Sequence, residues 1–196
     1  NGTGGVMAGS VTIGGGTTVS AGYTIGSSGL TLTNHGVAGS AAAKYGVLSN
    51  FGSDTVTNFG SILGLASGGD GVRLNAGGAV QNQSGPITGA YAGVIVSGAA
   101  GTVTNEGTIA GVVRGVELTA GGTLSNGSTG TITGNYDVVI KGGFGTVIDA
   151  GKILGSNVGV ALESGGWLTV AQGGTITGTS GIACTGGSGY IVNYGV

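Results

Sequence analysis

A step of 22 residues from Val72 lands on Val94, Val116, Val138, Val160 and Ile182. The same step from Leu74 gives Val96, Leu118, Ile140, Leu162 and Cys184. Two apolar columns in register exclude an ordinary globular layout. A repeat this short cannot bury its apolar side alone and must stack on its neighbours, which is the rule of a solenoid.

Each repeat holds three short phrases. The first carries Leu32, Val56, Val80, Val103, Leu124, Val147, Leu168 and Ile191, and the second Ile62, Ile87, Ile109, Ile132, Ile153 and Ile176. The third carries the two columns above, and Val11, Val19 and Ile25 fit an opening coil. The phrases alternate and are rich in β-branched residues, as in Thr131-Ile132-Thr133, which favours strands. Fifty glycines argue against helices, at about 1 kcal/mol each relative to alanine. The expected fold is all-β: a right-handed parallel β-helix, a three-faced β-solenoid of about 22 residues per coil and eight to nine coils, forming one domain over 1–196. Such a stack is roughly 40 Å long at about 4.8 Å per level. From Val103 the pattern also recurs after 44 residues, so coils alternate in turn length. Two insertions, Gly39-Ser40-Ala41-Ala42-Ala43-Lys44-Tyr45 and Gly64-Leu65-Ala66-Ser67-Gly68-Gly69-Asp70, occupy one corner and are expected side by side.

Charged residues make up 6% of the chain and the net charge is −2, so nothing attracts nucleic acid or anionic lipid. One cysteine excludes an internal disulfide framework, and Cys184 sits in an apolar column, where a buried thiol is expected. There is no transmembrane segment, since no apolar run approaches the ~18 residues a spanning helix needs. The sequence starts at Asn1 without an initiator Met, signal peptide or lipidation motif, so an export signal is expected to be removed or to lie outside it.

Few residues invite chemistry. Asn34, Asn58, Asn82, Asn105 and Asn126 form a column that Asp149 continues and Asn193 resumes. An amide ladder is the simplest reading, and carbohydrate binding along it the sharper one. Gly36, Gly60, Gly107 and Gly151, two residues further on, are expected to supply positive φ. Glu117 and Glu163 stand about 12 Å apart by strand spacing, too far for a hydrolytic pair. Lys141 shares a column with Glu163, which suggests a surface ion pair. His35, the one histidine, has no second ligand near it in sequence. Gly68-Gly69-Asp70-Gly71 occurs once and lacks the calcium-repeat order. No catalytic residue, metal site or cofactor is therefore expected. Trp167 and Tyr190 precede Leu168 and Ile191, so alternation turns both outward as a pair that a sugar could use. With Tyr45 and Asp70 at the inserted loops they make up the candidate ligand surface. Paired threonines (Thr31 and Thr33, Thr55 and Thr57, Thr102 and Thr104, Thr131 and Thr133) suggest outward rows, interrupted by Ala79, Gln81, Trp167, Lys152 and Leu154. A flat ice-binding lattice is a poor fit to such rows.

Phrases such as Gly101-Thr102-Val103-Thr104-Asn105-Glu106-Gly107-Thr108-Ile109-Ala110-Gly111 and Gly115-Val116-Glu117-Leu118-Thr119-Ala120-Gly121-Gly122 resemble the repeats of bacterial autotransporter passengers and filamentous-haemagglutinin-like adhesins. The resemblance covers nearly the whole chain. It implies secretion by a Gram-negative bacterium and a place at the cell surface in adhesion, aggregation or biofilm. The barrel that anchors an autotransporter is not in this stretch, so a cleaved passenger, a fragment and a separately exported subunit all stay open. The expected protein is a non-enzymatic stalk or fibre subunit whose partners are copies of itself end to end, glycans or host-surface components. A polysaccharide-binding module is the alternative. An ice-binding solenoid and a polysaccharide lyase rank below it.

Overall fold

The three phrases of each coil become three strands, and every strand pairs in parallel with the same phrase one coil away. The computed structural model of the chain describes residues 5–7 and 9–196; of the domain assigned to 1–196, positions 1–4 and 8 lie outside the described residues. Among the described residues three parallel sheets form. Sheet I stacks nine first-phrase strands, from Val11–Ile13 through Gly101–Asn105 to Gly189–Asn193. Sheet II stacks eight second-phrase strands, from Thr18–Val19 to Thr175–Thr177. Sheet III stacks nine third-phrase strands, from Gly5–Met7 to Ser180–Cys184. The chain is thus a three-faced β-solenoid with no helix among the described residues.

The register is the one the columns predict. Val72 pairs with Val94, Val94 with Val116, Val116 with Val138 and Val138 with Val160. Past the opening coil the offset varies from 21 residues, Thr102 to Thr123, to 25, Tyr45 to Asp70. Turn length absorbs that variation and the strands do not. The two insertions do lie side by side: Ala66 N donates to Ala43 O at 3.0 Å and Asp70 N to Lys44 O at 3.0 Å. One aliphatic cluster runs through the middle from Ile13 to Val170, with Val, Ile and Leu of successive coils stacked and almost all fully buried.

Sheet I also turns a polar column inward. Asn34 Nδ2 donates to Asn58 Oδ1, and the same step repeats through Asn82, Asn105, Asn126 and Asp149, every bond 2.8 Å. These side chains are buried. An amide has two N–H donors; one climbs the ladder and the other is available to a nearby carbonyl, such as Thr108 O for Asn82 and Gly107 O for Asn105. Asp149 suits the top rung because a carboxylate accepts and need not donate. Above it stands Val170, which offers no acceptor.

The glycines after this ladder work differently from the expectation of positive φ. Gly36, Gly60, Gly107 and Gly151 have ordinary φ values. A Cβ on Gly60 would lie 2.1 Å from Gly36 O, and one on Gly151 would lie 2.3 Å from Gly127 O. What demands glycine here is the backbone of the coil below. Positive φ occurs instead at the turn from sheet III to sheet I, for example at Gly98, Gly121, Gly142 and Gly165.

Two outcomes follow for stability. Asn105→Ala strands the Asn82 donor and the Asn126 acceptor in the interior and is expected to lower the unfolding free energy by about 2–4 kcal/mol. Asn193→Ala, at an exposed position, should lower it by less than about 1 kcal/mol. Gly60→Ala is expected to lose about 2–3 kcal/mol to overpacking. Gly14→Ala, whose nearest neighbour would be 3.9 Å away, should stay within about 0.5 kcal/mol. Urea denaturation of the four variants measures all of this.

Candidate functional site

Trp167 and Tyr190 are register partners on adjacent strands of sheet I, and both face solvent. Alternation places them there, because Leu168 is buried in the core. The ring that packs on Trp167 is Phe144, from the turn one coil earlier, with centroids 5.8 Å apart and planes at 85°. Phe144 escaped the sequence reading because it lies in a turn, outside the strand alternation. Beyond this edge Thr169, Ala171, Gln172 and Tyr194 line an open cleft of about 560 Å³.

The threonine rows are more regular than the interruptions suggested. Thr31, Thr55, Ala79, Thr102, Thr123, Thr146, Trp167 and Tyr190 form one outer column of sheet I. Thr33, Thr57, Gln81, Thr104, Ser125, Ile148, Thr169 and Val192 form the second. Lys152 and Leu154 belong to sheet II, as do Thr131 and Thr133, so they do not break these rows. Among the described residues no outer position of a sheet I strand is charged.

The inserted corner does not present the other two candidates as a ligand surface. Asp70 is buried, and its Oδ2 lies 2.7 Å from Arg73 Nε. The Arg73 guanidinium sits over the Tyr45 ring at 5.7 Å, and Tyr45 is itself half-buried. Burial pushes the Asp70 carboxyl above its ordinary pKa against the pull of Arg73. A closed ion pair of this kind supports the corner and leaves no free carboxylate for a sugar. Ser20, Ala21, Ser40, Ala42, Ala43 and Lys44 line a shallow hollow beside it.

Lys141 does not pair with Glu163, as its column suggested. Its Nζ reaches down to Glu117 Oε1 at 2.7 Å, and Arg114 Nε lies 3.1 Å from Glu117 Oε2. Glu117 is nearly buried on sheet III, whereas Glu163 is exposed; the buried carboxylate offers the stronger field. His35 is exposed and stacks flat on Phe59 at 4.7 Å. Cys184 points into the last coil and is half-buried. Among the described residues no three His, Cys, Asp or Glu side chains gather to hold a metal ion, and no helix is long and apolar enough to cross a membrane.

One buried group went unnoticed in the sequence. Asp137 occupies a column otherwise filled by Gly46, Gly71, Gly93, Gly115, Gly159 and Gly181. All of those glycines but Gly181 let sheet III pass the isoleucines of sheet II: a Cβ on Gly115 would meet Ile132 Cγ2 at 2.5 Å. The Asp137 carboxyl instead lodges against Gly155, in the corner between the sheets. Neither oxygen has a well-formed hydrogen-bond partner, and burial pushes the group up to about 8 against the pull of the nearby Gly134 amide. The signal was available in the sequence as a single break in a glycine column.

Comparison with protein families, with curated proteins and with solved structures found no match.

Asp137 has a pH signature. The unfolded chain releases this proton near the ordinary 3.8, and the folded chain holds it up to about 8. Between those values the folded state binds more protons, so stability falls as pH rises through the window and is flat outside it. Asp137→Gly restores the column and removes the effect. Its melting temperature is expected to gain on the unsubstituted protein between pH 4 and pH 8, by on the order of 10 °C. Asp70 and Asp149, which burial also raises, contribute equally to both proteins and cancel in the difference. Scanning calorimetry across that range measures the gap; a gap independent of pH would contradict the assignment.

Proposed function

We propose that the chain is a rigid β-solenoid stalk or fibre subunit of a bacterial cell surface, exported from the cell and acting in adhesion, aggregation or biofilm without chemistry of its own. One observation supports this most directly: strand pairing continues unbroken along sheet I from Val11 to Asn193. Its hydrogen bonds run along the long axis, so bending the rod at any level opens bonds in three sheets at once. The repeats resemble those of autotransporter passengers and adhesins, which is what carries the surface location.

A parallel stack also extends readily. The strands Ser180–Cys184 and Gly189–Asn193 pair with the coil below, and Ile176, Ile182 and Cys184 of the same coil are only half-buried. Further repeat sequence or the opening coil of a second copy would cover them by the same pairing, and a head-to-tail contact of that kind does not close on itself. A second reading, a polysaccharide-binding module on the same scaffold, is favoured by the exposed aromatic column of sheet I.

Electron microscopy tests the proposal. Purified chain at high concentration is expected to form straight filaments with an axial repeat near one rod length, about 40 Å. Isolated rods at every concentration would remove self-assembly. Immunogold labelling that stays inside the producing cell would remove the surface role.

A further inference from the structure

We propose that the outer face of sheet I, over the coils that carry Phe144, Trp167 and Tyr190, binds a neutral polysaccharide lying along the rod axis. The inference rests on the polysaccharide-binding reading above, to which it gives a site and a sugar class, and it holds whether or not the rod polymerises.

Among the described residues no aromatic side chain is fully buried in the core, so rings are left for the surface. They are not spread evenly. Phe144, Trp167 and Tyr190 follow one another in three successive coils and are 52%, 60% and 65% exposed. The chain leaves this much aromatic surface in water with nothing of its own packed over it, and a contiguous exposed apolar patch marks an interaction site. Strand spacing sets Trp167 and Tyr190 about 4.8 Å apart at the backbone. Phe144 meets Trp167 edge to face, which restrains the indole.

The surroundings select the partner. Thr146 and Thr169 place hydroxyls beside the rings, and Gln172 and Tyr194 add an amide and a phenol along the adjoining cleft. No charged side chain occupies an outer strand position of this sheet among the described residues, while the ion pairs of Arg73, Arg114 and Lys141 lie on or beside sheet III. A phosphate-bearing or uronic-acid polymer would find no cation in the outer columns of this sheet. A neutral pyranose chain fits on both counts: its C–H faces pack on aromatic rings, and its hydroxyl edges meet threonine and glutamine. Trp167 and Tyr190 stack one above the other along the axis, with Phe144 edge-on beside them, and a row in that direction suits a linear polymer better than a single sugar.

Trp167 is the only tryptophan in the chain, so its fluorescence reports on this site alone. Titration with cellohexaose, xylohexaose and mannohexaose is expected to give a saturable change in emission with at least one of them. Tyr190→Ala should weaken that binding by about tenfold with an unchanged far-ultraviolet circular dichroism spectrum. Thr57→Ala, on the same face but far along the axis, should leave it unaltered. Retardation in gels containing the matching neutral polymer should disappear in Trp167→Ala. No saturable response to any of the three, together with no retardation in glucan, xylan or mannan gels, would overturn the proposal. So would a response to phosphatidylcholine vesicles and not to sugars, which would mark a lipid-facing patch. An emission shift that follows protein concentration and sedimentation without sugar would mark self-association in its place.

Discussion

Backbone must come within hydrogen-bonding distance of backbone at every level of this rod, and the remaining features depend on that approach. A coil that rode higher at one corner would break pairing in all three sheets. The corners are where side chains would hold coils apart, and the corners are where glycine recurs. Gly36, Gly60 and Gly151 let each coil settle on the carbonyls of the one beneath. Gly46, Gly71, Gly93, Gly115 and Gly159 let sheet III pass over the isoleucine methyls of sheet II. The high glycine content, which in a helix or an isolated strand would weaken the fold, is here the condition for stacking.

Polar side chains in the inward column of sheet I find partners from that column, because each sees the residues above and below. Asparagine can satisfy itself this way, since it both donates and accepts, and a ladder from Asn34 to Asn126 results. Aspartate can only close a ladder, as Asp149 does beneath Val170. Asp137 has neither a ladder nor a counter-charge, so the protein keeps its proton. The same side chain is thus a terminator in one column and a burden in another, and the difference lies in what the neighbouring coils supply.

The period of the apolar residues was enough to read the architecture, including which side chains lie over which, because stacking makes sequence offset and spatial neighbour equivalent. Trp167 and Tyr190 were legible for the same reason. What could not be read depended on corners, where side chains reach between levels. Lys141 turned to Glu117 and not to Glu163, since burial of Glu117 is a property of the folded sheet. Tyr45 and Asp70 looked available until Arg73 closed over both. Glycines after the asparagine ladder suggested positive φ, whereas the carbonyl below was the constraint. Phe144 sits in a turn and gave no periodic signal at all.

A fold of this type separates its core from its faces more completely than a globular domain does. Inner columns are held to Val, Ile, Leu or Asn by the residues above and below, so a change at one level disturbs its neighbours. The outer columns of sheet I carry no such restriction, unlike the outer column of sheet III, where Ile95, Val139 and Ala161 are buried. Thr146, Trp167 and Tyr190 occupy one column on three successive strands, and their backbones pair in the same register whatever the side chain. Substituting one outer residue per coil therefore writes a row of chosen groups at a fixed pitch without altering the scaffold. A linear, repeating partner is the natural complement to such a row, because each added coil contributes one further contact at the same spacing.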